Sequence, residues 1–266
     1  MKMSIRRVAL DHGISLHLRE GGQGPATTLL LHGWAVPGTV WEPVLDRWPE
    51  EQGRVLVPDL RGTGWSDKPT EGYTLDDDVR DVVALIDALV AELGLSELTL
   101  VGHSKGGLIA QRVALERPKL LAKLVLVSPV PASGTPFDQP TIDFFESLCG
   151  HREGATQLIT AMLAKQPPPE LLERLVESMA SVCMPSLLGG FEAFRNASFG
   201  DELRAIETPT QVISGAAEEV LSPELMRTEV AARIPGASLQ LLPGTGHYPQ
   251  IECAEEFTAA LLAAVS

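Results

Sequence analysis

Positive charge is scarce in this chain. Its 21 lysines and arginines face 35 aspartates and glutamates, a formal charge of −14, which argues against nucleic acid or an anionic membrane surface as partner. Cysteine is scarcer still. Cys149, Cys183 and Cys253 are odd in number, far apart and set in apolar surroundings. That pattern excludes a disulfide framework and fits the reduced thiols of a cytoplasmic protein. None of the three stands in a metal-ligand spacing, and no metal or organic cofactor is expected. No apolar run approaches the ~20 residues of a membrane span, and no internal repeat is visible. Met1–Arg7 is basic with no apolar stretch behind it, so no secretory signal is expected. The remaining material suits one large core: 266 residues, 44% of them hydrophobic, within the length to which single α/β domains run (about 250 residues).

The densest signal is Gly102-His103-Ser104-Lys105-Gly106-Gly107. The apolar run Leu98–Val101 leads into it, and a helical pattern, Leu108–Leu115, leaves it and stops at Pro118. Gly-x-Ser-x-Gly between a strand and a helix is the context of a nucleophile elbow, a tight turn that lifts a serine hydroxyl above the sheet. Glycines two before and two after the serine let strand and helix approach closely. Without further residues the motif is only a Gly-rich turn carrying an ordinary serine.

The rest of the chain alternates. Strands are predicted up to Leu10, over Ile14–Leu18, Thr27–His32, Arg54–Asp59, Leu98–Val101 and Leu124–Val127, with helical spacing at Trp41, Val44, Leu45 and Trp48. Thr74 with Asp77 three residues on is a capping pattern. It opens a helix with Val79, Val82, Val83, Ile86, Leu89, Val90 and Leu93 on one face, ended by Gly94. Such alternation predicts a doubly wound α/β sheet. It lapses from about Ser133 to Phe199, where helical stripes occur without a strand. A helical insertion there is expected over the carboxyl ends of the strands, as a lid. Its Phe and Met residues (Phe144, Phe145, Met162, Met179, Phe191, Phe194 among them) divide between lid core and pocket lining. Strands return at Pro209–Gly215 and Ser238–Leu242. Ser222-Pro223-Glu224 starts a helix expected to end at Ile234, and Phe257, Leu261, Leu262 and Val265 mark a last one.

A serine nucleophile needs a base within hydrogen-bond reach. His103, beside the serine in the elbow, is expected to point to the other face. His32 ends a buried strand, His17 alternates with apolar neighbours as a surface strand residue would, and His12 and His151 lack a supporting motif. His247 sits in Pro243-Gly244-Thr245-Gly246-His247-Tyr248-Pro249, a loop after the last strand from which it can reach over the sheet edge. The base needs a carboxylate to hold its tautomer, and the loop after Gly215 supplies two, Glu218 and Glu219. Arg61, Asp59, Asp67 and Lys68 read as the internal ties of their own loop.

Taken together, His32-Gly33-Trp34, Pro58-Asp59-Leu60-Arg61-Gly62-Thr63-Gly64-Trp65-Ser66-Asp67, the elbow and Gly244–Pro249 resemble the motifs of the α/β-hydrolase superfamily over nearly the whole chain outside the helical insertion. The resemblance implies a mostly parallel eight-stranded sheet with helices on both faces and a helical lid inserted after strand 6. Residues 1–132 and 200–266 would form the core and 133–199 the lid. It implies Ser104 as nucleophile, His247 as base, and the backbone N–H groups of Trp34 and Lys105 as the oxyanion hole. The position where most relatives carry the triad aspartate is Glu218. The implied activity is hydrolysis of a small-molecule carboxylic ester or lactone. Thioester and carbon–carbon bond hydrolysis and cofactor-free perhydrolysis use the same groups. A ligand-binding protein that has lost turnover would show a disabled nucleophile or base, and both are intact here.

Overall fold

The computed structural model describes residues 1–135 and 137–266. Eight strands form one sheet: β1 (Ser4–Ala9), β2 (Ser15–Gly21), β3 (Thr27–Leu31), β4 (Arg54–Pro58), β5 (Leu98–His103), β6 (Leu121–Val127), β7 (Thr210–Gly215) and β8 (Ser238–Leu242). Their order is β1-β2-β4-β3-β5-β6-β7-β8. Only β2 runs against the others, paired antiparallel to β1 and β4, while β4 through β8 pair in parallel. The central strands are continuous apolar runs because helices cover both faces, and every residue of β3 and β5 is buried. The α/β-hydrolase fold expected from the sequence is the one observed.

Helices follow in the order α1 (Glu42–Leu45), α2 (Leu75–Leu93), α3 (Lys105–Glu116), α4 (Gln139–Ser147), α5 (Arg152–Met162), α6 (Pro169–Ala180), α7 (Met184–Arg195), α8 (Pro223–Leu225), α9 (Pro249–Glu252) and α10 (Ala254–Val265). The α2 termini follow their local chemistry. Thr74 and Asp77 exchange both capping-box bonds, and Gly94 closes the helix at φ 64°. Two expectations need correction. The apolar spacing Trp41–Trp48 suggested a full helix, yet it yields one 3₁₀ turn and the single turn α1, cut short before Pro49. The helix begun by Ser222 widens at once into a π turn over Met226–Ala231, so the start was legible and the interior was not.

Helices α4 to α7 lie between β6 and β7. They rest on loops at the carboxyl ends of β3, β4 and β8. The Trp34 indole donates to Leu187 O at 2.8 Å, Cys183 N–H to Gly62 O at 3.4 Å, and His247 N–H to Met162 O at 2.9 Å. Met179 and Phe191 are buried inside this layer, whereas Phe144 and Met184 are exposed.

Candidate active site

Ser104 joins β5 to α3 with φ 54° and ψ −120°, a conformation costing a non-glycine residue about 1–3 kcal/mol. The surroundings hold it there. Its N–H donates to Val127 O at 2.9 Å, and its carbonyl accepts from Gly107 and Val130 at 2.9 and 3.1 Å. A methyl group added at Gly102 would strike the Gly106 carbonyl, and one at Gly106 would strike the His32 carbonyl. The two glycines are therefore required by close backbone approach. Among the described residues the Ser104 hydroxyl makes no hydrogen bond.

The His32-Gly33-Trp34 turn passes directly over the elbow, since a Cβ at Gly33 would lie 2.9 Å from Ser104 Cβ. Among the described residues the backbone N–H groups of Trp34 and Lys105 have no acceptor, which leaves two donors free beside the serine. His32 ties this turn to the next loop. Its Nδ1 donates to Gly33 O at 2.9 Å, and its Nε2 accepts from Leu60 N–H at 2.8 Å. Burial is the main reason its pKa falls, to about 4, against the opposing pull of the Gly33 bond.

That shift gives a stability prediction. His32 is neutral when folded and titrates near 6.5 when unfolded, so the unfolded chain binds more protons between those values. Stability from this group is full above pH 6.5 and falls as pH drops toward 4, by about 3 kcal/mol at that point. Urea midpoints measured from pH 7 to 4 should fall less steeply in His32→Asn than in the parent. Parallel slopes would show that His32 does not carry the effect.

His247 follows β8. Its Nδ1 lies 2.9 Å from Glu218 Oε2, and both side chains are almost fully buried. The carboxylate is itself fixed, with Oε1 accepting from Val220 and Leu221 N–H at 3.1 Å each. Burial raises the Glu218 pKa, but the neighbouring imidazole and these three hydrogen bonds outweigh it and hold the carboxyl below its usual value. Glu219 points to solvent. With Nδ1 donating to a carboxylate, Nε2 is left as the acceptor. His103 lies beneath: its Nε2 donates to His247 O at 2.9 Å, and burial keeps it far below its ordinary pKa.

Ser104, His247 and Glu218 line one cavity with Trp34, Val130, Thr135, Phe137, Phe145, Met162, Phe194, Val220, Leu221 and Tyr248. Pattern reading had flagged Phe145, Met162 and Phe194 without separating them from helix core, and it missed Val130, Thr135 and Phe137. Those three occupy the irregular segment after β6, where no periodicity marks a facing side. A larger groove beside Gly21 and Glu50 lies at the far end of the molecule's strands β2 and β4 and holds none of these groups.

Glu252 was also missed. Its buried carboxylate accepts four backbone N–H bonds, from Ala164, Lys165 and Gly246 on Oε2 and from Tyr248 on Oε1, all at 2.9–3.0 Å. It thereby joins the segment after α5 to the two residues flanking His247. The only sequence sign was a lone acidic residue in the apolar stretch Pro249–Cys253.

The remaining charged candidates are structural ties. Asp59 accepts from Arg19 and from the N–H groups of Gly38 and Trp65 at 2.8–3.0 Å. His17 Nδ1 lies 2.9 Å from the same carboxylate. His17 is buried, which corrects its reading as a surface residue: the loop after β4 covers that face of β2. Arg61 grips Asp81 through Nε and Nη2, and Asp67 receives Arg7. The Lys105 side chain turns inward, with Nζ 2.5 Å from the buried Asp78 Oδ2. The three cysteines are free thiols. Among the described residues no cluster of side chains suits a metal ion, and no helix is long and apolar enough to cross a membrane.

Comparison with known proteins bears on the family and the fold. The sequence matches the model described as the alpha/beta hydrolase family over residues 28–260. It is 28% identical to 2-hydroxymuconate semialdehyde hydrolase of Pseudomonas putida, over 95% of this chain and 91% of that one. A non-heme haloperoxidase of Rhodococcus erythropolis is 25% identical over 90% of this chain and 92% of its own. The structure of an esterase from Exiguobacterium antarcticum superposes with a TM-score of 0.89 over 97% of this chain and 98% of its own. At 22% identity that likeness speaks for the fold.

Proposed function

The chain belongs to the alpha/beta hydrolase family, and from that premise we propose that it hydrolyses a carboxylic ester or lactone through an acyl-enzyme on Ser104. One observation carries the reading. A serine in a strained elbow shares a mostly apolar cavity with a histidine whose Nδ1 is bonded to a buried carboxylate.

Ser104 Oγ attacks the ester carbonyl carbon while His247 Nε2 takes its proton. Glu218 fixes the tautomer that makes this possible and stabilises the imidazolium. Negative charge on the carbonyl oxygen is met by the free N–H groups of Trp34 and Lys105, donors of a kind worth ~3–4 kcal/mol each in the transition state. His247 returns the proton to the departing alcohol oxygen. Water then attacks the acyl-enzyme, His247 takes its proton, and the serine leaves with that proton as the acid is released. In this reading helices α4–α7 form the lid, residues 133–199, and the core comprises 1–132 and 200–266. Support comes from the bonds that seat those helices on Trp34 and beside His247. The charge balance and the aspect of the thiols keep a cytoplasmic small-molecule enzyme as the simplest setting.

Thioester hydrolysis, carbon–carbon hydrolysis and perhydrolysis would place further demands on the pocket, so ester or lactone cleavage comes first. A panel of esters, thioesters and lactones of graded acyl length, with Ser104→Ala as blank, tests the choice. Esters or lactones should show the highest kcat/KM. A clear preference for thioesters, or turnover only with a peroxide or a vinylogous diketone, would replace this assignment.

A further inference from the structure

Among the described residues the cavity is lined by no lysine or arginine. Its walls are the apolar and aromatic side chains of Trp34, Phe137, Phe145, Met162, Phe194 and Tyr248, and the charged partners in it are the His247–Glu218 pair itself. Positive groups on the bounding helices are committed elsewhere. Lys105, next to the serine, is turned onto Asp78, and Arg195, next to Phe194, onto Glu192. Thr135 supplies one neutral hydroxyl, which has no partner among the described residues. The space is also small. The cavity measures about 50 Å³, and on that scale one water takes ~10–15 Å³, so a carboxylate inside could not keep its own hydration shell.

We infer that the substrate of this site is uncharged in its acyl part, and that compounds carrying a carboxylate close to the scissile bond are rejected. This rests on the reading of Ser104 as nucleophile. The physical reason is desolvation. An anion moved from water into an apolar wall without a counter-charge is strongly disfavoured. Glu218 would add like-charge repulsion, because its own negative charge already serves His247. The surrounding field acts in the same direction, since a chain with a net charge of −14 repels anions on approach. The unpartnered hydroxyl of Thr135 suits an uncharged hydrogen-bonding group on the substrate.

The test uses reagents that report on the site whatever ester is preferred. Three phosphonofluoridates share a four-carbon chain, ending in methyl, in carboxylate, or in the methyl ester of that carboxylate. In each reaction Ser104 Oγ bonds to phosphorus, fluoride leaves, and His247 accepts the serine proton. Labelling of Ser104, followed by mass spectrometry of the digested peptide, should be at least ~100-fold slower for the carboxylate than for its methyl ester. The two neutral reagents should stay within about tenfold of each other, which separates charge from size. Rates within tenfold for carboxylate and methyl ester would overturn the inference. Labelling of Ser104 by none of the three would overturn the nucleophile assignment beneath it, a distinct result.

Discussion

Replacing Ser104 by alanine should abolish turnover while leaving the melting temperature within a degree or two of the parent's. The two halves of this expectation have different grounds. On the proposed mechanism the acyl intermediate forms on this hydroxyl, and loss of such a triad nucleophile lowers kcat by up to ~10⁶. Stability is a separate matter. The Ser104 hydroxyl holds no hydrogen bond among the described residues, and the turn is fixed by backbone bonds to Val127, Gly107 and Val130 that alanine keeps. Alanine at φ 54° carries much the same strain as serine. Steady-state assays beside thermal melts check both halves. Residual activity above a hundredth of the parent's would mean that another group attacks the carbonyl. Lost activity with a large fall in melting temperature would mean that the hydroxyl was structural.

Ser104, the Glu218–Glu219 pair and His247 could be singled out because each follows a strand that runs into a glycine-marked turn, and the family resemblance then chose Glu218. Continuous apolar runs locate strands of a parallel sheet, and glycines mark where the backbone must turn sharply or pass another backbone. Gly102 and Gly106 show the second case, each too close to a carbonyl for any side chain. The alternation of strand and helix then orders the sheet, and the eight strands lie where the pattern put them.

What escaped lacks such marks. His17 was read as exposed because strand alternation describes one sheet alone, whereas here the loop carrying Asp59 packs over β2 and buries the imidazole against a carboxylate. Thr135 and Phe137 face the cavity from irregular chain, where the facing side is set by tertiary contact. Glu252 looks like any acidic residue in a helix start, and its role depends on four N–H groups from two segments separated by some eighty residues of sequence. The π turn after Leu225 has no glycine or proline to announce it. Long-range partners decide the first and third of these, and local periodicity encodes none of the four.

The neighbouring pair Glu218 and Glu219 allows the sharpest remaining test. Glu218→Gln should lower kcat by ~10⁴, the loss known for the equivalent acid-to-amide change in a serine protease triad, while Glu219→Gln should cost less than about threefold, as a solvent-facing change does. The structural reason is a count of acceptors. Glu218 offers two oxygens to three donors: His247 Nδ1–H on one, and the N–H groups of Val220 and Leu221 on the other. Glutamine has one oxygen. If that oxygen faces the backbone donors, its NH₂ group meets His247 Nδ1, and the imidazole must carry its proton on Nε2. A ring in that tautomer cannot take the serine proton. If the amide turns the other way, its NH₂ meets two backbone N–H groups, the loop after Gly215 is pushed apart, and the imidazolium has lost its counter-charge as well. The first arrangement removes the base, and the second leaves it without its counter-charge in a disrupted loop. Glu219 contacts neither group, and its side chain is exposed, so the same substitution there changes only surface charge. Rates of fluorophosphonate labelling at Ser104 should fall in step with kcat for Glu218→Gln and stay at the parent's value for Glu219→Gln. Equal losses in the two variants, or the larger loss at Glu219, would show that the acid partner of His247 in solution is not the one bonded to it here.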